Sequence, residues 1–159
     1  MADALLDLCR DLPVETFADG AVLLSEGATT GRLYVLIDGA VEVAKGDFQI
    51  NAVTDPGAIF GEMSVLLGMP HMATVRALGP ARAHLCEDGA AFLKAHPEIA
   101  YHLACTIAQR LNGVTSYLID IRQQFEAEKG HLGFVDEILE CLLHQPRTQF
   151  TPGSDRDPG

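Results

Sequence analysis

Basic residues are scarce in this chain of 159 residues. Eleven lysines and arginines stand against twenty-two aspartates and glutamates, which gives a formal net charge of −11 at pH 7. The basic residues are scattered singly along the sequence, so no stretch concentrates positive charge. Because a surface of this charge repels the phosphate backbone of nucleic acids, we expect no direct nucleic-acid partner.

Closely spaced metal ligands and long apolar runs are missing as well. The four cysteines form no CxxC pair and the six histidines show no HxxxH spacing, so we expect no metal and no cofactor. We expect Cys9, Cys86, Cys105 and Cys141 to be buried, reduced thiols. No apolar run reaches the roughly 18 residues of a membrane span, and the acidic start MADALLDLCRDL does not resemble a signal peptide. The sequence therefore predicts a cytoplasmic protein without membrane contact.

Short apolar stretches punctuated by glycine turns fill the middle of the chain. They recur about every eight to twelve residues, which is typical of a β-sandwich or barrel. An amphipathic helix over residues 4–12, ended by Pro13, precedes them. The predicted strands include residues 22–25, 33–37, 41–44, 48–53, 73–77 and 81–86.

Helical patterns follow the strands. Asp88 is suited to cap a short helix that reaches Ala95, and Pro97 is suited to open a long helix that Gly130 ends. A further amphipathic segment spans residues 134–143.

The long helix carries an apolar stripe with heptad spacing, which we call the heptad stripe. Such a stripe needs cover, either from a second chain or from the same domain. We favour a parallel homodimer, and a helix folded wholly onto its own domain is the alternative. The heptad stripe consists of Ile107, Leu111, Val114, Leu118, Ile121 and Phe125.

The segment 60–77 reads FGEMSVLLGMPHMATVRA and follows the turn signal DPG. It predicts a strand end, a glycine, a short helix, a break at Gly68 and Pro70, and then another strand. The helix start at Gly61 and Glu62 offers backbone N–H groups and a carboxylate, which together suit a phosphate and a sugar hydroxyl. The alternative is that glycine and glutamate begin this helix without any ligand.

This segment resembles the phosphate-binding cassette of cyclic-nucleotide-binding domains, the family of the catabolite activator protein and of the regulatory subunits of cyclic-AMP-dependent kinases. The family pattern runs approximately F-G-E-[LM]-[AS]-L-[LI]-x-G-x-P-R-x-A-T-V-x-A. We call residues 60–77 the cassette. The matching positions are Phe60, Gly61, Glu62, Met63, Ser64, Leu66, Gly68, Pro70, Ala73, Thr74, Val75 and Ala77.

The resemblance implies an α+β, mainly β, fold. It consists of an eight-stranded antiparallel β-roll, jelly-roll-like, flanked by an N-terminal helix and C-terminal helices. Residues 1–128 are expected to form the cyclic-nucleotide-binding-like domain with its long dimerisation helix, residues 129–145 a C-terminal helix, and residues 146–159 a disordered tail. Family transcription factors continue into a winged helix-turn-helix, and only about 30 residues follow the long helix here. We therefore expect no DNA-binding domain.

The resemblance also assigns the ligand contacts. Glu62 takes the ribose 2′-hydroxyl, and the backbone of Gly61, Met63 and Met72 lies near the cyclic phosphate. His71 stands where the family has the arginine that grips this phosphate. The predicted site for cyclic AMP or cyclic GMP comprises Gly61, Glu62, Met63, His71, Met72, Ala73 and Thr74.

Histidine is a poor replacement for that arginine. It is shorter, makes no bidentate contact and is only partly charged near neutral pH, since its unperturbed pKa is about 6.5. Losing a buried charge partner typically costs about 2–5 kcal/mol, hence roughly thirty- to several-thousand-fold in affinity. Arg76 should face the opposite side of its strand from His71. We expect weak binding, which becomes pH-dependent if a bound phosphate favours the imidazolium form.

Two hypotheses follow. The first is a stand-alone cyclic-nucleotide sensor that acts through its helices on a dimer or on an unidentified protein partner. The second is a dimeric scaffold that binds no nucleotide and acts through protein contacts. The sequence shows no nucleophile–base pair and no paired carboxylates, so we do not expect an enzyme.

Overall fold

A computed structural model of the chain describes residues 2–125 and 133–143. The chain forms two compact units, Met1–Leu103 and Ala104–Gly159, which we call the sheet unit and the helical unit. The predicted helix end at Gly130, the domain boundaries at residues 128 and 145, and the predicted tail lie outside the described residues.

The sheet unit is built on one antiparallel sheet of six strands. The strands are β1 (Val14–Phe17), β2 (Val22–Leu24), β3 (Leu33–Lys45), β4 (Phe48–Val53), β5 (Ile59–Phe60) and β6 (Thr74–Cys86). Strands β1, β6, β3 and β4 lie side by side in that order, while β2 pairs with β6 and β5 pairs with β3. This arrangement confirms the predicted α+β, mainly antiparallel β fold.

Strands β3 and β6 are each 13 residues long and pair along most of their length. Each joins two stretches that the sequence predicts as separate strands, so the predicted eight strands are not confirmed and the described residues form six. Register shifts between Leu36 and Ala40 interrupt the pairing without ending either strand. Gly39 permits the close approach there, because its φ is 88° and a Cβ would lie 2.4 Å from the Pro80 carbonyl oxygen.

The core of the sheet unit consists of residues on the strands. Leu36 and Ala83 are completely buried, and the rings of Phe17 and Tyr34 meet edge to face with centroids 5.7 Å apart. The buried cluster comprises Phe17, Leu23, Leu24, Tyr34, Leu36, Val41, Phe60, Val75, Ala77, Ala81, Ala83 and Leu85.

The described residues form five helices, which flank or follow the strands. The cap on α3 (Gly89–Ala95) is as predicted, since the Asp88 carboxylate accepts a hydrogen bond from the backbone N–H of Ala91 at 3.0 Å. The first helix is shorter than predicted and ends at Leu8, after which Leu12 donates a turn hydrogen bond to the Cys9 carbonyl at 2.8 Å. The helices are α1 (Ala2–Leu8), α2 (Glu62–Leu67), α3 (Gly89–Ala95), α4 (Pro97–Gln124) and α5 (Gly133–Leu143).

The prediction that all four cysteines are buried is wrong. Cys9 and Cys86 are buried, Cys105 is exposed and Cys141 is half-buried. The difference arises because the first two lie in the sheet unit, whereas the other two lie on the helices α4 and α5. Burial raises the pKa of Cys9 to about 11, so this thiol is protonated and unreactive.

The heptad stripe on α4 is only partly covered. Leu111 and Val114 are 43% and 52% exposed, Phe125 is exposed, and Ile107, Leu118 and Ile121 are half-buried. Within the helical unit, Arg122 of α4 forms an ion pair with Asp136 of α5 at 2.9 Å. No helix within the described residues has the length and apolar character needed to cross a membrane.

Candidate functional site

The start of α2 is fixed by a glycine that no other residue can replace without strain. Gly61 follows β5 and has a φ of 92°, and a Cβ at this position would lie 2.4 Å from the carbonyl oxygen of Arg32. The helix ends at Gly68, which also has a positive φ and whose N–H donates to the Ser64 carbonyl. The predicted order of strand, glycine, short helix, break and strand is therefore confirmed.

The first turn of α2 holds a buried carboxylate. Glu62 is only 6% exposed. Burying a carboxylate costs free energy unless hydrogen bonds or an opposite charge compensate for the lost hydration. Ser64, two residues later, is also buried, and its hydroxyl donates to the Met69 carbonyl. The Met69 N–H in turn donates to the Ser64 carbonyl at 3.1 Å. These two bonds tie α2 to the segment that leads to His71.

His71 is anchored to the loop formed by residues 25–32 through three hydrogen bonds. Its carbonyl accepts from the Gly27 N–H at 2.8 Å, and its own N–H donates to the Ala28 carbonyl at 2.9 Å. Its ring atom Nε2 lies 2.7 Å from the hydroxyl oxygen of Thr30. That hydroxyl oxygen also accepts from the Arg32 N–H at 3.2 Å. The imidazole therefore holds this loop against the cassette.

The imidazole of His71 is neutral near pH 7. The residue is 4% exposed, and burial lowers its pKa below the usual 6.5 because the charged form loses hydration. The Thr30 hydroxyl can donate to Nε2 of the neutral ring while it accepts from the backbone. At neutral pH, the side chain of His71 thus carries no charge.

The residues that follow His71, up to the start of β6, contact the loop 25–32 and the end of β3. Met72 is 45% exposed, and its carbonyl accepts from Nζ of Lys45 at 3.2 Å. Thr74 begins β6, and its hydroxyl accepts from the Glu26 N–H at 3.0 Å. The Glu26 carboxylate accepts from the Gly46 N–H at 3.1 Å. Hydrogen bonds therefore connect the loop 25–32 and the end of β3 to the segment from Met72 to Thr74.

Arg76, the one arginine of the cassette, has a carboxylate of β3 as its partner. It lies opposite Glu42 in the pairing of β3 with β6, and the two side chains form an ion pair. The Glu42 side chain is only 14% exposed, so its charge is balanced by this guanidinium.

The predicted site residues fall into two groups, and the hydrogen bonds between Ser64 and Met69 connect the segments that carry them. Gly61, Glu62 and Met63 lie at the start of α2, and the others lie just before β6 or at its first residue. Sequence reasoning missed Thr30 and Lys45. Nothing near either residue in the sequence points to the cassette, because they contact it only through the sheet and its loops.

Comparisons with known proteins agree with this architecture. The family model of the cyclic nucleotide-binding domain matches residues 14–93. The HTH-type transcriptional regulator Cmr of Mycobacterium tuberculosis is 34% identical over 116 residues, which cover 69% of this chain and 47% of that protein. The CRP-like cAMP-activated global transcriptional regulator of the same organism is 26% identical over 124 residues, with coverage of 74% and 55%. The chain therefore spans about half the length of these relatives.

A solved structure shares the fold. The crystal structure of the catabolite activator protein from Thermus thermophilus superposes with a TM-score of 0.63 at 21% identity, covering 74% of this chain and 59% of that chain. The match to the family model extends over about half of the chain and includes the cassette. This chain thus belongs to the cyclic nucleotide-binding domain family.

Proposed function

We propose that this chain is a regulatory sensor domain that binds a cyclic nucleotide, cyclic AMP or cyclic GMP, with low affinity. The observation that carries the proposal is a cassette that matches the family pattern at most positions and in which Glu62 is buried in the first turn of α2. Relatives that are transcriptional regulators support a regulatory role over a catalytic one.

The proposed contacts follow the family pattern. Glu62 accepts a hydrogen bond from a ribose hydroxyl, and the backbone of Gly61, Met63 and Met72 contacts the cyclic phosphate. Ala73 and Thr74 complete the site beside Met72. Backbone N–H groups in the first turn of a helix have no acceptor within the helix, which suits them to an anion.

Low affinity follows from the state of His71. A neutral imidazole whose Nε2 already contacts Thr30 contributes no opposite charge to a phosphate. Protonation becomes favourable only when the phosphate offsets the cost of charging a buried ring. Binding is therefore expected to take up a proton and to tighten as the pH falls.

A short path connects the cassette to the helices. Gly89, the first residue of α3, donates its N–H to the Gly31 carbonyl at 2.9 Å. A Cβ at Gly89 would lie 2.7 Å from Cγ of Leu33 and 3.0 Å from Cγ2 of Val65 in α2. A ligand that moves α2 therefore also moves the start of α3. We propose that this motion passes into α4 and alters a homodimer formed through the heptad stripe.

The alternative function is a dimeric scaffold that binds no cyclic nucleotide. It is supported by the hydrogen bonds of His71, which make the imidazole part of the loop structure, and by the exposed part of the heptad stripe. In this case the helices, rather than the cassette, carry the function through protein contacts.

Isothermal titration calorimetry with cyclic AMP and cyclic GMP at pH 6 and pH 8 tests the proposal. We expect weak binding that is tighter at pH 6, and His71→Arg should bind at least roughly thirtyfold more tightly at pH 8. Heats compared in two buffers of different ionisation enthalpy report the proton uptake. If neither nucleotide binds to either protein at millimolar concentration, the sensor proposal is wrong and the scaffold remains.

A further inference from the structure

Most arginines of the sheet unit have a carboxylate as their partner. Arg32 forms an ion pair with Glu87 at 2.8 Å, and two other arginines pair with carboxylates on neighbouring strands. Those two ion pairs are Arg76 with Glu42 and Arg82 with Asp38. Three of the arginines in this unit are thus already neutralised by acidic residues.

Lys45 differs from these arginines in its partner and its position. It is the last residue of β3, and its Nζ contacts the backbone carbonyl of Met72 in the cassette at 3.2 Å. The strand pairing explains this contact. Ala44 lies opposite Thr74 in the antiparallel pairing, so the next residue on β3, Lys45, lies beside the residues just before Thr74. No carboxylate of the described residues forms an ion pair with the exposed Lys45 ammonium.

We infer that Lys45 supplies the positive charge for an anionic phosphate group bound at the cassette, in place of the missing arginine. This inference rests on the proposed function. The N–H and carbonyl groups of Met72 lie about 3 Å apart, given standard backbone dimensions. A phosphate on the Met72 N–H is therefore within reach of an ammonium that already contacts the carbonyl of the same residue. The side chain exchanges one oxygen acceptor for another and needs only rotamer changes.

The location of Lys45 determines how strong this contact is. A lysine ammonium is a point charge without the bidentate fork of arginine, and an exposed one is screened by salt. The Glu26 carboxylate, which accepts from the Gly46 N–H at 3.1 Å, lies beside the same turn and reduces the local positive potential. The contribution of Lys45 is therefore modest and salt-sensitive, unlike that of a buried arginine.

A pair of matched lysine variants and a pair of matched ligands test the inference. Lys45→Met removes the charge at the cassette, and Lys94→Met removes the same charge from the exposed last turn of α3. Cyclic AMP carries the phosphate, whereas adenosine presents the same base and ribose without it. Affinities are measured by calorimetry at 20 mM and 300 mM salt, and thermal melting shows that each variant is folded.

We expect Lys45→Met to weaken cyclic AMP binding about fivefold at low salt and to reduce the salt dependence of the affinity. Adenosine binding should be unchanged in this variant, and Lys94→Met should bind both ligands as the natural chain does. In a His71→Arg background, Lys45→Met should have a smaller effect, because the guanidinium then contacts the phosphate.

Three results overturn the inference, and the last of them also overturns the proposed function. If the natural chain binds cyclic AMP and Lys45→Met binds it equally well, Lys45 is not a phosphate contact although the proposed function stands. An equal loss of cyclic AMP and adenosine affinity in a folded Lys45→Met variant overturns it in the same way, since the effect is then structural. If the natural chain binds neither cyclic AMP nor cyclic GMP at either salt concentration, both the inference and the proposed function are wrong.

Discussion

The sheet unit and the helical unit bury their apolar residues very differently. In the sheet unit, alternate residues of the strands form a continuous core that includes Leu36 and Val41, which are both 0% exposed. Among the described residues of the helical unit, Leu139 is the one buried hydrophobic residue, while Leu111 and Val114 face solvent.

The contrast shows where each unit obtains its stability. Antiparallel strands that pair over 13 residues satisfy their backbone groups and enclose side chains within one chain. A helix satisfies its backbone alone, yet gains most of its stability from covering an apolar face. The sheet unit is therefore expected to be stable by itself, and the helical unit to depend on a second copy or another partner.

The largest effect is expected from truncating the core of the sheet unit. Leu36→Ala removes a fully buried side chain and leaves a cavity, which typically costs about 2–5 kcal/mol of the free energy of unfolding. The matched change Leu111→Ala on α4 should cost less than about 0.5 kcal/mol at protein concentrations too low for association. Urea unfolding followed by circular dichroism compares the two. Equal costs would mean that α4 contributes to a core within the same chain.

The glycines of the two units should respond in opposite directions to substitution by alanine. Gly61→Ala forces a Cβ to within 2.4 Å of a backbone oxygen at a positive φ, which we expect to cost about 2–4 kcal/mol. Gly113→Ala lies in α4, where a Cβ meets nothing within 4 Å, and should stabilise the helix by up to about 1 kcal/mol. Thermal unfolding measures whether each substitution raises or lowers the stability. A stabilised Gly61→Ala protein would contradict the described start of α2.

A charge on the heptad stripe should dissociate the proposed homodimer. Leu111→Asp places a carboxylate in the interface, and we expect the dimer Kd to rise at least roughly tenfold. Asn112→Asp adds the same charge to the neighbouring exposed position outside the heptad stripe and should have little effect. Sedimentation equilibrium gives both constants. A natural chain that is monomeric at 100 μM would refute the homodimer directly.

The smallest predicted effect concerns pH and the sheet unit alone. Burial lowers the pKa of His71 in the folded chain relative to the unfolded chain, so the unfolded state binds more protons between the two values. The stabilising contribution of the neutral ring is complete above about pH 6.5 and is lost as the pH falls through the folded pKa. His71→Gln should flatten this decline.

Urea midpoints between pH 8 and pH 5 measure the decline. His96→Gln, at the C-terminal end of α3 where the ring packs on Phe92, is the control and should keep the slope of the natural chain. If the natural chain and His71→Gln lose stability in parallel, the charge state of His71 does not contribute. Nucleotide affinity should change in the opposite direction to stability over the same range, because only the charged ring attracts phosphate.

Local signals in the sequence determined much of this protein. The motif around Gly61 and Glu62 identifies the family, and the glycine is required by a backbone conformation that the sequence already indicates. Asp88 and Pro97 set the beginnings of two helices because capping and the fixed φ of proline act within one turn. The spacing of the heptad stripe likewise follows from the helical period alone.

Contacts between distant residues were decided only by the tertiary structure. The pairing of β3 with β6 merges stretches that read as separate strands, because glycine punctuation is compatible with a bulge as well as with a turn. The partner of the His71 ring is Thr30, 41 residues away, and the carbonyl bound by Lys45 is 27 residues away. The sequence places a histidine at position 71 of the cassette, but the charge of its ring depends on burial, which only the packed chain defines.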